Sequence, residues 1–168
     1  MRIIDCFLAN YIETEVKKVT KDEISNLETM ITSIFMFSIF WSIGTTTTLE
    51  GRSKFDKWIR EKMTGAGIEF PEERLVYDYR FNNETKEWVY WMDTISEYKV
   101  DTKTSYNEIL VPTVDSIRMK YFTKLLVLNS KHVLTPGPTG TGKSVNIQEL
   151  MTYELPEEYQ TLAMTFSA

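Results

Sequence analysis

Gly137-Pro138-Thr139-Gly140-Thr141-Gly142-Lys143-Ser144 is the stretch on which the reading of this chain turns. It fits G-x-x-x-x-G-K-[ST], a loop in which backbone N–H groups, a following helix N-terminus and one mobile cation converge on a dense anion. Glycines at 137, 140 and 142 open backbone conformations that a side chain closes. The amides from Thr139 to Lys143 are the expected cradle, Lys143 the expected partner of the β/γ-phosphates, and the Ser144 hydroxyl the expected Mg²⁺ ligand. Chance yields the pattern in roughly one chain of this length in 200. Context strengthens it: His132-Val133-Leu134 reads as a short strand before the loop, and Val145 to Met151 as a helix after it. The bland alternative is a Gly/Thr turn that holds no ligand.

The position of the loop carries as much information as its identity. A P-loop ATPase needs a later strand ending in acidic residues for Mg²⁺ and water activation, followed by polar sensors. Residues 146–168 have room for one helix and one strand, Thr161 to Phe166. The expectation is a piece of a larger nucleotide-binding machine, without ATP turnover of its own.

Working outward, the 168 residues are 42% hydrophobic and 26% charged, ordinary for a folded chain. A net charge of −5 with no basic stripe argues against a nucleic-acid partner. One cysteine, Cys6, excludes an intrachain disulfide, and one histidine, His132, leaves imidazole metal chemistry remote. The early acid Asp5 does not suit a signal peptide. Met30 to Ile43 is the most apolar run, but at roughly 14 residues it falls short of the ~20 of a membrane span and reads as a buried core helix, with no membrane partner.

Apolar residues at three- and four-residue spacing predict a helix from Arg2 to Val19. Thr20 and Glu23 form a capping-box pattern for a second helix through Ile24, Leu27, Ile31, Ile34, Phe35 and Trp41, which Gly44 would stop in a left-handed conformation. A third helix covers Gly51 to Met63 with Phe55, Trp58 and Ile59 inward. Leu75 to Phe81 and Lys86 to Trp91, separated by Asn82-Asn83-Glu84-Thr85, read as a β-hairpin. A connector from Asp93 to Tyr106 leads to Ile109-Leu110-Val111-Pro112-Thr113, and Asp115 is expected to cap a helix through Ile117, Tyr121, Leu125 and Leu128. The chain divides near residue 100: residues 1–100 as an α-rich unit with a hairpin, residues 101–168 as the opening of an α/β unit. The second has too few strands to bury both faces of a parallel sheet.

Several residues imitate chemistry. Asp78 and Asp93 each end an apolar run, as a Mg²⁺-binding strand does, but they precede the loop; exposed acids on a hairpin are simpler. His132 reads as a surface residue at a strand end. Glu149 reads as solvated, and Glu154, Glu157 and Glu158 as an exposed charge run. Pro136 removes a backbone donor just before the loop, so the strand is expected to end at Thr135.

Longer stretches resemble a known family. Phe35-Met36-Phe37-Ser38-Ile39-Phe40-Trp41-Ser42-Ile43-Gly44, Gly51-Arg52-Ser53-Lys54-Phe55-Asp56 and Tyr77-Asp78-Tyr79 with Trp88 and Trp91 resemble the lid of the second AAA+ module of dynein heavy chains. Ile109 to Arg118, Gly137 to Ser144 and Phe166-Ser167-Ala168 resemble the start of the third module, in axonemal rather than cytoplasmic form. The fold class implied is α/β: an AAA+ P-loop NTPase fragment, an α-rich lid with a β-hairpin followed by the first strands and helix of a parallel-sheet module. The resemblance implies a microtubule motor of the cilium or flagellum axoneme. ATP or ADP with Mg would sit at a regulatory site formed by Gly137 to Ser144, with Val111, Pro112 and Thr113 near the adenine and Ser144 on the metal. Implied partners are the remaining AAA+ ring, dynein intermediate and light chains, and microtubules through other parts of the motor. Two rivals stand beside this: a non-catalytic scaffold with an empty loop, and a small P-loop kinase, which would need an acceptor site and lid after the loop.

Overall fold

The computed structural model of the chain describes residues 2–12, 21–95 and 109–166. They belong to two compact units, Met1–Val111 and Pro112–Ala168. The continuation of the first helix to Val19, the Thr20 cap, the connector from residue 96 to Tyr106, and Ser167-Ala168 lie outside the described residues.

In the first unit, α1 (Arg2–Ile12) and α2 (Lys21–Ser42) lead through a 3-10 turn (Gly44–Thr46) into α3 (Leu49–Gly65). A second 3-10 turn (Val76–Asp78) opens the hairpin β1 (Tyr79–Asn82) and β2 (Glu87–Tyr90). The strands pair antiparallel with Tyr79 opposite Tyr90 and Phe81 opposite Trp88. Asn82 closes the loop: its Oδ1 accepts the Glu84 N–H at 3.0 Å and its carbonyl accepts the Lys86 N–H at 2.8 Å. The Asn82-Asn83-Glu84-Thr85 turn signal and the aromatic runs thus build the hairpin they predict, shorter than expected at both outer ends because Val76–Asp78 and Trp91–Thr94 coil into 3-10 turns.

Aromatic rings make this core. Phe37 and Phe40 of α2 are fully buried against Trp88, with centroids 6.3 and 5.8 Å away, and Phe70 lies 4.7 Å from the same indole. Trp91 is fully buried and donates its indole N–H to the Tyr77 carbonyl at 3.0 Å, so its one polar atom is satisfied. Because these rings occupy the interior, α2 buries Met30, Ser33, Ile34, Phe37, Ser38 and Phe40. Of the expected series, Ile34 is buried and Trp41 packs against Phe37, Tyr77 and Trp91, whereas Leu27, Ile31 and Phe35 are 37, 42 and 48% exposed. In α3 it is Asp56, Ile59 and Met63 that are buried, while Trp58 is 49% exposed. The apolar window Leu27–Thr46, most of α2 with the 3-10 turn after it, reaches 20 residues, enough by length and composition to cross a bilayer. Its ring-packed face gives it the role of a core helix, and the hydroxyls of Ser38 and Ser42 are satisfied by the carbonyls of Ile34 and Ser38.

Two polar devices lock the unit. Asp56, buried, accepts the Val76 N–H at 2.7 Å and the Arg60 Nε at 3.0 Å, tying α3 to the hairpin entry. Arg60 also donates to the carbonyls of Pro71, at 2.7 Å, and Arg74. Gly44 is not left-handed, contrary to expectation. Its requirement is space: a Cβ there would meet Tyr77 Oη at 2.6 Å and a Phe55 ring carbon at 2.7 Å.

The second unit contains α4 (Val114–Leu128), α5 (Lys143–Glu149) and a π turn (Leu150–Glu154). The cap of α4 is Thr113 rather than Asp115: the Thr113 hydroxyl accepts the Ser116 N–H at 3.2 Å, and Ser116 Oγ accepts the Thr113 N–H at 2.9 Å. Asp115 instead lies in the first turn, where its charge suits the helix N-terminus. The segments 132–134 and 161–166, expected as strands, pair with no strand among the described residues. A strand is defined by its neighbour, and this unit brings none within reach.

Candidate functional site

The loop of residues 137–144 takes the backbone path that its glycines permit. Gly140 and Gly142 sit at φ +79° and +73°, the region that residues with a side chain rarely adopt. Gly142 is also the N-cap of α5. Gly137 is different: its φ is not positive, and a Cβ there would touch the Lys143 side chain at 3.4 Å. Thus two of the three glycines set the turn and the third leaves room for the lysine.

Behind the loop, the first intrahelical bond is donated by the Asn146 N–H to the Gly142 carbonyl at 3.0 Å. The N–H groups of Lys143, Ser144 and Val145 precede it and project from the helix N-terminus, a fixed set of donors with partial positive charge. Asn146 Nδ2 adds a second bond to the same Gly142 carbonyl at 2.8 Å, fastening loop to helix. Lys143 folds back over the loop, where its ammonium donates to the Pro138 carbonyl and, at 2.7 Å, to Thr141 Oγ1. Thr141 in turn donates to the Pro138 carbonyl at 3.1 Å. Ser144 is exposed beside Lys143. This donor set fits a polyphosphate: converging amides, a cation on a flexible stem, and a hydroxyl at the helix start.

Of the other expected contributors, Val111 is 66% exposed and closes the first unit, whereas Pro112 and Thr113 begin the second. The hydroxyl of Thr113 is committed to capping α4. His132 is exposed. It lines an open cleft of about 430 Å³ with Thr123, Val127, Val133, Ile147 and Met151, to one side of α5 rather than at the loop. No group of three His, Cys, Asp or Glu able to hold a metal occurs among the described residues.

Two acids differ from expectation. Glu149 and Glu154 are not simply solvated: both pair with Lys120 of α4, at 3.2 and 2.9 Å. Burial alone would lower the Lys120 pKa, but its bonds to Glu154 and Glu149, with their charges, hold it above the ordinary value. Sequence reading missed this cluster because residues five apart do not share a face on an α-helix.

The description "Dynein heavy chain AAA lid domain" matches residues 1–93, and "P-loop containing dynein motor region" matches residues 98–168. All of the chain aligns with dynein axonemal heavy chain 1 of Mus musculus and of Homo sapiens, each 35% identical, and 80% of it with dynein axonemal heavy chain 12 of Rattus norvegicus at 34%. It spans only 4 to 5% of the length of these relatives. A P-loop motor region is a nucleotide-binding element in general terms, and the geometry of residues 137–144 agrees with that.

Proposed function

The chain belongs to the dynein heavy-chain family, and from that premise we propose that it is a stretch of an axonemal heavy chain, an ATP-driven microtubule motor. In this reading residues 1–100 are the lid that ends one AAA+ module and residues 101–168 open the next. The observation that carries the nucleotide assignment is the pair of left-handed glycines, Gly140 and Gly142, leading directly into the N-terminus of α5. The amides of residues 139–143 would hold the phosphates of ATP or ADP, and the Lys143 ammonium would neutralise their charge. Ser144 would offer its hydroxyl to Mg²⁺. Val111, Pro112 and Thr113 contact the adenine end through backbone and apolar surface. Bound Mg²⁺ would offset phosphate charge.

The reading supports a regulatory role for the site in an AAA+ ring, with the rest of the heavy chain, intermediate and light chains and the microtubule as partners in a ciliary or flagellar axoneme. A titration of the heavy chain with fluorescent ADP and Mg²⁺ tests it. Lys143→Ala should weaken the component of binding due to this loop by about 10- to 100-fold, the effect of losing a charge-assisted bond. Unchanged binding would favour a scaffold whose loop holds nothing.

A further inference from the structure

The π turn after the phosphate-loop helix places two carboxylates on one cation. In an α-helix, residues five apart lie about 140° apart around the axis, which would send Glu149 and Glu154 in different directions. The wider i→i+5 bonding of Leu150–Glu154 brings them to one face. There Lys120 Nζ meets Glu149 Oε2 at 3.2 Å and Glu154 Oε1 at 2.9 Å. The Lys120 side chain is only 15% exposed. Leu150, between the two acids, is fully buried, so packing holds the turn from inside while charge holds it from outside.

The other end of the same helix is the loop. Lys143 is the first residue of α5 and Glu149 its last, a separation of about 10 Å along a rod too short to bend. Any rotation imposed at Glu149 therefore reaches the amides of Lys143 and Ser144. Several amides converging on one anion tolerate little misalignment, and a displacement of about 1 Å is enough to matter.

We propose that Lys120 is a positioning residue for the phosphate loop: by clamping Glu149 and Glu154 together it selects the wide turn, and so sets the rotation of α5 and the aim of its N-terminal amides. The inference rests on the reading of residues 137–144 as the nucleotide site. Without the cation, the two carboxylates repel each other, and an ordinary α turn, which separates them, becomes the favoured geometry.

The test uses the full heavy chain, titrated with fluorescent ADP and Mg²⁺. Lys120→Met, Lys120→Arg and Glu154→Gln are each measured with and without Lys143→Ala to isolate the loop's own component. Lys120→Met should weaken that component about fivefold and Glu154→Gln about threefold, while Lys120→Arg restores it. Hydrogen exchange of amides 150–155 should quicken in the two weakened variants. Glu154 is partly exposed, so Glu154→Gln remains readable if Lys120→Met does not fold. Unchanged affinity in both variants, with the Lys143-dependent component intact, overturns the clamp and leaves the nucleotide site standing. A loss that Lys120→Arg fails to restore also overturns it, because packing rather than charge would then be responsible. Absence of any Lys143-dependent component removes the nucleotide site itself, and the clamp's purpose with it.

Discussion

In the first unit Trp91, Phe37 and Phe40 are fully buried in a cluster of rings that includes Trp88 and Phe70, whereas in the second Leu134, Leu162, Met164 and Phe166 are 66 to 89% exposed. Both regions carry apolar side chains in quantity. The difference is whether the partners lie in the same stretch of sequence. The hairpin, α2 and α3 complete one another within about 70 residues, so their rings find a core locally. The apolar residues on either side of α5 carry strand-like sequence, yet the described residues offer them no ladder to join. Apolar content therefore marks where burial is needed, and chain topology decides whether it is met.

The sharpest way to break this comparison is at the centre of the first core. Trp91→Ala should lower the stability of that unit by about 3–5 kcal/mol, through lost contacts and a cavity. Denaturant unfolding followed by tryptophan emission measures it, and all four tryptophans, at positions 41, 58, 88 and 91, lie in the first unit. A change below about 1 kcal/mol would mean that the ring cluster is not a cooperative core. Asp56→Ala comes next, at about 3 kcal/mol, since it orphans the buried Val76 N–H and removes the Arg60 partner. The same unfolding curve reads it, and a neutral result would show that the hairpin entry is held by packing alone.

A smaller effect sharpens the contrast by pH. Burial pushes the phenols of Tyr77 and Tyr79 above their ordinary value of 10.0. A phenol with a raised folded pKa keeps its proton longer in the native state, so the stability it contributes is present below about pH 10 and lost as pH rises beyond it. The first unit should therefore show a flat unfolding midpoint from neutral pH to about pH 9 and a fall above pH 10, shallower in Tyr77→Phe. An alkaline fall of equal steepness in that variant would exclude Tyr77 as a source. The smallest effect belongs to the second unit: Leu134→Ser, at a side chain 87% exposed, should change this chain's stability by less than about 0.5 kcal/mol in far-ultraviolet circular dichroism melts. A large loss there would reveal burial that the second unit lacks in the structure.

The sequence was legible where the deciding interaction was local. The loop, the hairpin turn at Asn82-Asn83 and the extent of α3 follow from glycine, asparagine and apolar spacing over a few residues. Sequence alone does not single out Thr113 as the cap, because Asp115 is an equally good capping residue two positions later and only the reciprocal bond from Ser116 decides between them. Gly44 was assigned the wrong reason because the atoms that exclude a side chain, from Phe55 and Tyr77, come from 11 and 33 residues away. In α2 the apolar series divides, Ile34 and Trp41 meeting the core while Leu27, Ile31 and Phe35 stay partly exposed, because periodicity locates apolar residues without saying which of them meet the aromatic rings. The Lys120 cluster was hidden by its π spacing. Gly44 and Lys120 thus turn on a partner distant in sequence or a period outside the helix and strand repeats, whereas Thr113 turns on a bond three residues away that spacing alone does not select.

The folded-back lysine has one more consequence. With its ammonium held by the Pro138 carbonyl and the Thr141 hydroxyl, the loop offers Lys143 neutral acceptors built from its own oxygens. An arriving ligand meets a tethered rival, and only one with concentrated negative charge can displace it. Singly charged anions are then expected to leave the Lys143 Nζ resonance unmoved in nitrogen NMR, whereas a di- or triphosphate shifts it: a threshold for charge density written into the backbone.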